Sequence, residues 1–222
     1  LICVAIIFNR QMSYMKSSAL GFNKDNVAVA KLDLAFSDPG SAGARFESIL
    51  NDLKNNPHVK TISTNNVIPT AYDQNYNNYI DPATSKEVSL RQAPADAGYV
   101  PTYEIPIVQG KNFDDQLAAS EKNTVLINRS AMNAFGWKNA IGKQIKSKGT
   151  QGETYKVIGV MEDFHYQDLQ NNIEPLIQWY RGKPSLQNLY LSVRTDAGET
   201  NRVMNQLVQA FKEIPSKRAF SY

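Results

Sequence analysis

The stretch NVAVAKLDLAFSDPGSAGARFESILNDLKNNPHVKTISTNNVI, residues 26–68, decides how this chain folds. Its first part alternates, with Ala28, Ala30, Leu32 and Leu34 on one face of a strand over 26–34. Its middle changes period. Phe46, Ile49, Leu50 and Leu53 recur at i, i+3, i+4 and i+7, the apolar stripe of a helix that Asp38-Pro39 starts and Asn56-Pro57 ends. A second strand follows over 59–68. Strand, helix, strand is a β-α-β unit, and the second strand is expected parallel to the first through a right-handed crossover.

The far end of the chain repeats this texture. Leu189, Leu191 and Val193 alternate with Tyr190, Ser192 and Arg194, which predicts a half-buried strand. Met204, Leu207, Val208 and Phe211 then mark a second amphipathic helix. Between the two β-α pieces the texture differs. PTAYDQNYNNYIDPATSKE, from Pro69, is rich in Tyr, Asn and turn residues. Short strands are expected over 77–80 and 88–93, and a short helix over 98–103 among Pro94, Pro101 and Pro106. A strand over 124–128 leads into a helix over 129–135 that Gly136 closes. Strands over 144–147 and 154–165 form a hairpin, and 175–180 is another strand.

The first residues, LICVAIIF, are uninterruptedly apolar and precede NRQMSYMK. They read either as a buried first strand or as the end of a transmembrane helix. Eight helical residues span about 12 Å, under half of a hydrocarbon core of about 30 Å. Met12, Met15 and Ala19 continue a helical spacing up to Gly21. The composition, 42% hydrophobic and 20% charged, is that of a globular chain. A net charge of +3, with scattered Lys and Arg, gives no expectation of a nucleic-acid partner. The single cysteine, Cys3, excludes an internal disulfide and a cysteine zinc site.

Three sequence features invite chemistry. GWKNAIGKQ, residues 136–144, resembles a phosphate loop but has one residue too many before Gly142-Lys143, and Gln144 where Ser or Thr would meet magnesium. Turn glycines account for it better. His58, beside Pro57, and His165 belong to unrelated segments, so no metal site is expected. VIGVMEDFHYQDL, residues 157–169, ends a strand on Glu162, Asp163, Phe164 and His165. Period 2 puts Asp163 and His165 on one face, where they could share a hydrogen bond and orient a general base. With no nucleophile beside them in sequence, a strand end pinned by a polar pair is the expected reading.

The ordered set QMSYMKSSALGFNKDNV, GKNF, VLINRSAMNAFGW, IGKQI, VIGVMEDFHYQDL and IEPL resembles the periplasmic core domain of MacB/FtsX-type ABC transporter permeases, in its second-domain form. Ala140 and Lys111 depart from the pattern, which commonly has Pro and Arg there. The resemblance implies an α+β fold of two lobes. Residues 1–19 would be the end of a transmembrane helix and its extension, 20–69 and 186–222 a membrane-proximal lobe, and 70–185 an inserted β-rich lobe. Both chain ends, near Ala19 and Ile214, would then face one side. It also implies a non-catalytic domain on the periplasmic side of the inner membrane, without cofactor or metal. Its partners would be the transmembrane helices of the same permease, a separate ATP-binding subunit or domain, and a periplasmic adaptor or partner protein. Two rival readings stay open. One is a ligand-binding or sensing module with its ligand between the lobes near Tyr72, Tyr76, Tyr79 and Trp179; the other is a hydrolase using Asp163 and His165.

Overall fold

The computed structural model describes residues 20–32, 39–69, 71, 75–117, 123–149, 152–166, 172–182 and 188–212. A three-stranded sheet is built from both ends of the chain. Strand β10 (Leu189–Thr195) lies between β1 (Val27–Leu32) and β2 (Val59–Asn65), antiparallel to each. The two strands of the β-α-β unit are therefore parallel, as expected, but not adjacent. The register aligns Leu32 with Leu189 and Val193 with Ile62. Leu32, Leu189, Leu191 and Val193 thus share one face, and helices α1 (Pro39–Lys54) and α4 (Thr200–Lys212) cover it with Phe46, Ile49, Leu50, Leu53, Val203, Leu207 and Phe211. The Phe46 and Phe211 rings stack at 6.4 Å.

The middle of the chain forms a ring of strand ladders. It runs β8 (Thr154–Met161), β6 (Thr124–Asn128), β9 (Leu176–Tyr180), β4 (Glu87–Ala95), β3 (Tyr76–Ile80) and β7 (Gln144–Ser147), and β7 pairs back to β8. β5 (Ile107–Gly110) joins β8 beyond the reach of β7. Leu90, Val125, Ile127, Ile145, Val157 and Ile177 fill the interior. Helix α3 (Arg129–Phe135) covers one end with Met132 and Phe135. Asn128 caps it: its side-chain oxygen accepts from Ala131 N–H at 2.9 Å and also from Leu176 N–H at 2.9 Å. The helix closes on Gly136, whose φ of 80° suits a residue without Cβ.

Three expectations need correcting, and one strand was not expected. The strand over 154–165 stops at Met161, because its neighbours end opposite that residue, at Ile107 and Asn128. β10 is not half-buried; Ser192 and Arg194 are as covered as the apolar residues between them. The buried stripe of α4 is Val203, Leu207 and Phe211, with Met204 and Val208 at its margin. The unexpected strand is β5, a four-residue element that directly follows Pro106. The apolar stub, Leu34, Tyr72, Ala19 and Ile214 lie outside the described residues. The turn at 196–199 sends α4 back along β10, so its last turn lies towards the Leu32 end of the sheet, whereas residues 20–26 meet the sheet at the Val27 end. Among the described residues no helix is long and apolar enough to cross a membrane.

Candidate functional site

The segment after β8 is held by Glu162, Asp163 and the backbone of His165. Glu162 is held by Arg129 through two bonds of 2.7 and 2.6 Å, which, as the leading cause, lowers its carboxyl below the usual range. Asp163 accepts from the backbone N–H and the hydroxyl of Ser130, at 2.9 and 2.7 Å, in the first turn of α3. Phe164 is fully buried, edge-on to Tyr166. His165 contributes its backbone N–H, which donates to the Leu20 carbonyl at 2.8 Å. Because the strand has ended, period 2 no longer applies, and among the described residues no hydrogen bond joins Asp163 to His165. Ser130 meets Asp163 as a helix-end partner, and among the described residues no hydrogen bond links Ser130 to a histidine.

Leu20 belongs to a short segment, 20–26, that is fastened to both sheets. Gly21 lies flat on the Asp163–Phe164 backbone; a Cβ there would stand 2.3 Å from the Asp163 carbonyl oxygen, and its φ is +73°. Asn23 N–H donates to the Tyr103 carbonyl at 2.8 Å. The guanidinium of Arg194, on β10 and almost wholly buried, donates to three carbonyls: Asn23 at 2.7 Å, Asp25 at 3.0 Å and Thr102 at 2.7 Å. Glu104 sits 3.3 Å away and balances its charge. Arg194 was read in sequence as the outward face of an alternating strand. No local signal says that helix α2 (Tyr99–Tyr103) would cover that face.

The covering of that face combines aromatic packing, with Tyr103 edge-on to Phe22 at 6.1 Å, and a set of polar contacts. Asp96, just after β4, accepts from Ser63 Oγ at 3.0 Å, Thr64 N at 2.6 Å, Thr64 Oγ1 at 3.2 Å and Asn65 Nδ2 at 3.1 Å, all on β2. Burial pushes its carboxyl above the usual range, and these bonds only partly offset that. Gly98 lies so close to β2 that a Cβ would come within 1.9 Å of the Ile62 carbonyl oxygen. Tyr103 and Ser192 share a hydrogen bond of 2.7 Å. The seam between the lobes is therefore packed.

The four aromatic residues proposed from sequence separate. Tyr72 is outside the described residues. Tyr76 is on the outer face of β3, where its ring lies 4.5 Å from the guanidinium of buried Arg91 and its hydroxyl donates to Glu174 at 2.7 Å. Arg91 also donates to Glu174 at 3.2 and 3.0 Å and to the Tyr76 hydroxyl. Tyr79, three residues on and so on the opposite face, joins Trp179 at the end of the strand ring away from α3. With Asn77, Gln92, Ser147 and Tyr155 they line a cavity of ≈ 360 Å³. Burial raises the Tyr79 phenol to about 12.

The other sequence candidates resolve into turns and surface pairs. Gly136 ends α3, and Gly142 N–H donates to the Val157 carbonyl at 2.9 Å on the way into β7, so this loop presents no cradle of free amides. His58 Nδ1 is 3.5 Å from Asp196, with both side chains well exposed.

A family model described as the MacB-like periplasmic core domain matches residues 4–210. The periplasmic region of MacB from Actinobacillus actinomycetemcomitans is similar in structure, with a TM-score of 0.58 at 13% identity, covering 93% of this chain and 92% of that one. A domain of a putative permease protein from Porphyromonas gingivalis also gives 0.58 at 13% identity, covering 89% of each chain. The extracellular domain of the noncanonic ABC-type transporter YknZ from Gram-positive bacteria gives 0.52 at 16% identity, covering 87% of this chain and 98% of that one. No curated protein matches the sequence.

Proposed function

Since the chain belongs to the family of MacB-like periplasmic core domains, a periplasmic domain of MacB/FtsX-type ABC transporter permeases, we propose that it is a non-catalytic coupling domain. It passes movement of the permease's transmembrane helices, driven by a separate ATP-binding subunit or domain, to export of a substrate or engagement of a periplasmic adaptor or partner. In this reading it stands on the inner membrane, facing the periplasm. In the same reading residues 1–19 are the end of a transmembrane helix and its extension, 20–69 with 186–222 the membrane-proximal lobe, and 70–185 the inserted lobe projecting away.

The observation that carries the reading is the fastening of residues 20–26. Arg194 grips this segment from the three-stranded sheet and His165 N–H grips it from the strand ring. A displacement of residues 20–26 along their own direction reaches both lobes without passing through a flexible linker. Gly21→Val in the intact permease tests this, since the side chain meets backbone 2.3 Å away. Hydrogen exchange is measured with and without a non-hydrolysable ATP analogue. In the unaltered permease the analogue is expected to change protection in both lobes; in Gly21→Val the response of the strand ring should vanish while the fold persists. No nucleotide response in either lobe of the unaltered permease would remove the coupling role. The rival reading as a ligand-binding module draws on a different place, the cavity beside Trp179.

A further inference from the structure

We infer that the open end of the strand ring is a binding site for a neutral saccharide. The inference stands apart from the coupling role and starts from the cavity's walls. Trp179 and Tyr155, both partly exposed, supply aromatic surface, and buried Tyr79 forms the wall behind them. Asn77, Gln92, Ser147 and the Glu153 carboxylate supply hydrogen-bonding groups around them. No Lys or Arg lines the cavity among the described residues. With a carboxylate present and no cation, phosphates and other anions are poorly matched. An apolar chain is equally poorly matched, since burying amides and hydroxyls under it would leave them without partners. A sugar ring offers both surfaces at once. Its C–H face packs on an aromatic plane, and its hydroxyls donate and accept, as amide groups do.

The polar groups are held in place before any ligand arrives. Asn77 Nδ2 donates to Ser147 Oγ at 2.7 Å, the Tyr79 hydroxyl to Gln92 Oε1 at 2.7 Å, and Gln92 Nε2 to Asn75 Oδ1 at 3.0 Å. These bonds orient both amides and lower the ordering cost of binding. They leave capacity over. The second amide hydrogen of Gln92, the hydroxyl hydrogen of Ser147 and the indole N–H of Trp179 have no acceptor among the described residues. The other tryptophan differs: Trp137 Nε1–H donates to Asp81 at 3.0 Å in a buried position. A cavity of ≈ 360 Å³ has room for a mono- or disaccharide.

The contrast between the two tryptophans gives the test. In the full chain, the two indole N–H signals are followed by NMR during titration with glucose, galactose, mannose, N-acetylglucosamine, maltose, cellobiose and chitobiose. At least one sugar is expected to shift the Trp179 signal saturably and leave Trp137 in place. Followed by calorimetry, because Trp179→Ala removes the indole signal itself, Trp179→Ala and Asn77→Ala should each weaken that binding about tenfold or more. Should Trp179→Ala fail to fold, Asn77→Ala and the shift in the unaltered chain decide. The assignment is overturned if no sugar moves the Trp179 signal, or if binding is unchanged in Asn77→Ala and in whatever Trp179→Ala folds. It is also overturned if tetramethylammonium moves the signal and the sugars do not, since the cavity would then be an aromatic cage for organic cations.

Discussion

At the scale of single residues, the seam is made of groups that a sequence does not flag. Arg194 and Asp96 are charged, yet each is nearly buried and fully occupied by hydrogen bonds across the lobes. Their meaning depends on partners far along the chain, Asn23 for Arg194 and Ser63 for Asp96, so no local pattern could carry it. Asp96 makes a testable pH signature. Burial raises its carboxyl in the folded protein, so the folded state keeps this proton to higher pH than the unfolded state does. Its contribution is therefore fully present below the unfolded value of about 3.9 and is lost as pH rises through the folded value. Asp96→Asn keeps the shape and removes the titration. The difference in melting temperature between the unaltered protein and Asp96→Asn should then fall steadily as pH rises from about 4. Melting curves at matched ionic strength measure it; a constant difference across that range would mean that Asp96 does not change its proton affinity on folding.

At the scale of elements, what the sequence could show was whatever repeats locally. Helix α1, strand β6 and helix α3 with its Gly136 end are set by short-range period and capping, and they stand where the pattern places them. Neighbour relations are different. That β10 inserts between β1 and β2, or that β7 pairs back to β8, depends on contacts between distant segments. The end of β8 shows the cost of reading only locally. Alternation suggested that Asp163 and His165 face the same way, but the ladder ends at Met161 and each residue then follows its own partner. The same segment separates side-chain from backbone roles. Phe164 is fully buried and contributes through packing, so Phe164→Ala should cost about 3–5 kcal/mol. His165 holds Leu20 by its backbone, which His165→Ala retains, so that change should cost less than about 1 kcal/mol. Urea denaturation of the two variants measures both. A larger loss in His165→Ala than in Phe164→Ala would return the imidazole to the centre of the site.

At the scale of the whole molecule, the two lobes should behave as one cooperative unit, because what lies between them is a set of buried hydrogen bonds and close backbone contacts. Two signals report on them separately. Both tryptophans, Trp137 and Trp179, belong to the strand ring. The longer helices, α1 with 16 residues and α4 with 13, belong to the other lobe and dominate the helical circular dichroism. In the unaltered protein the two signals are expected to change together during unfolding. Gly98→Ala is the sharpest way to disturb the seam. Gly98 has φ −76° and ψ −19°, which alanine adopts without strain, so the whole penalty comes from a Cβ placed 1.9 Å from the Ile62 carbonyl oxygen. The closest contact is backbone rather than a movable side-chain end, so β2 and α2 must part. The expected result is a loss of at least about 1–3 kcal/mol and separate midpoints for fluorescence and circular dichroism. Coincident midpoints in Gly98→Ala, at unaltered stability, would show that the lobes are not joined through this contact, and a pull on residues 20–26 would then have to reach the strand ring through that segment's own contacts, Leu20 with His165 and Asn23 with Tyr103.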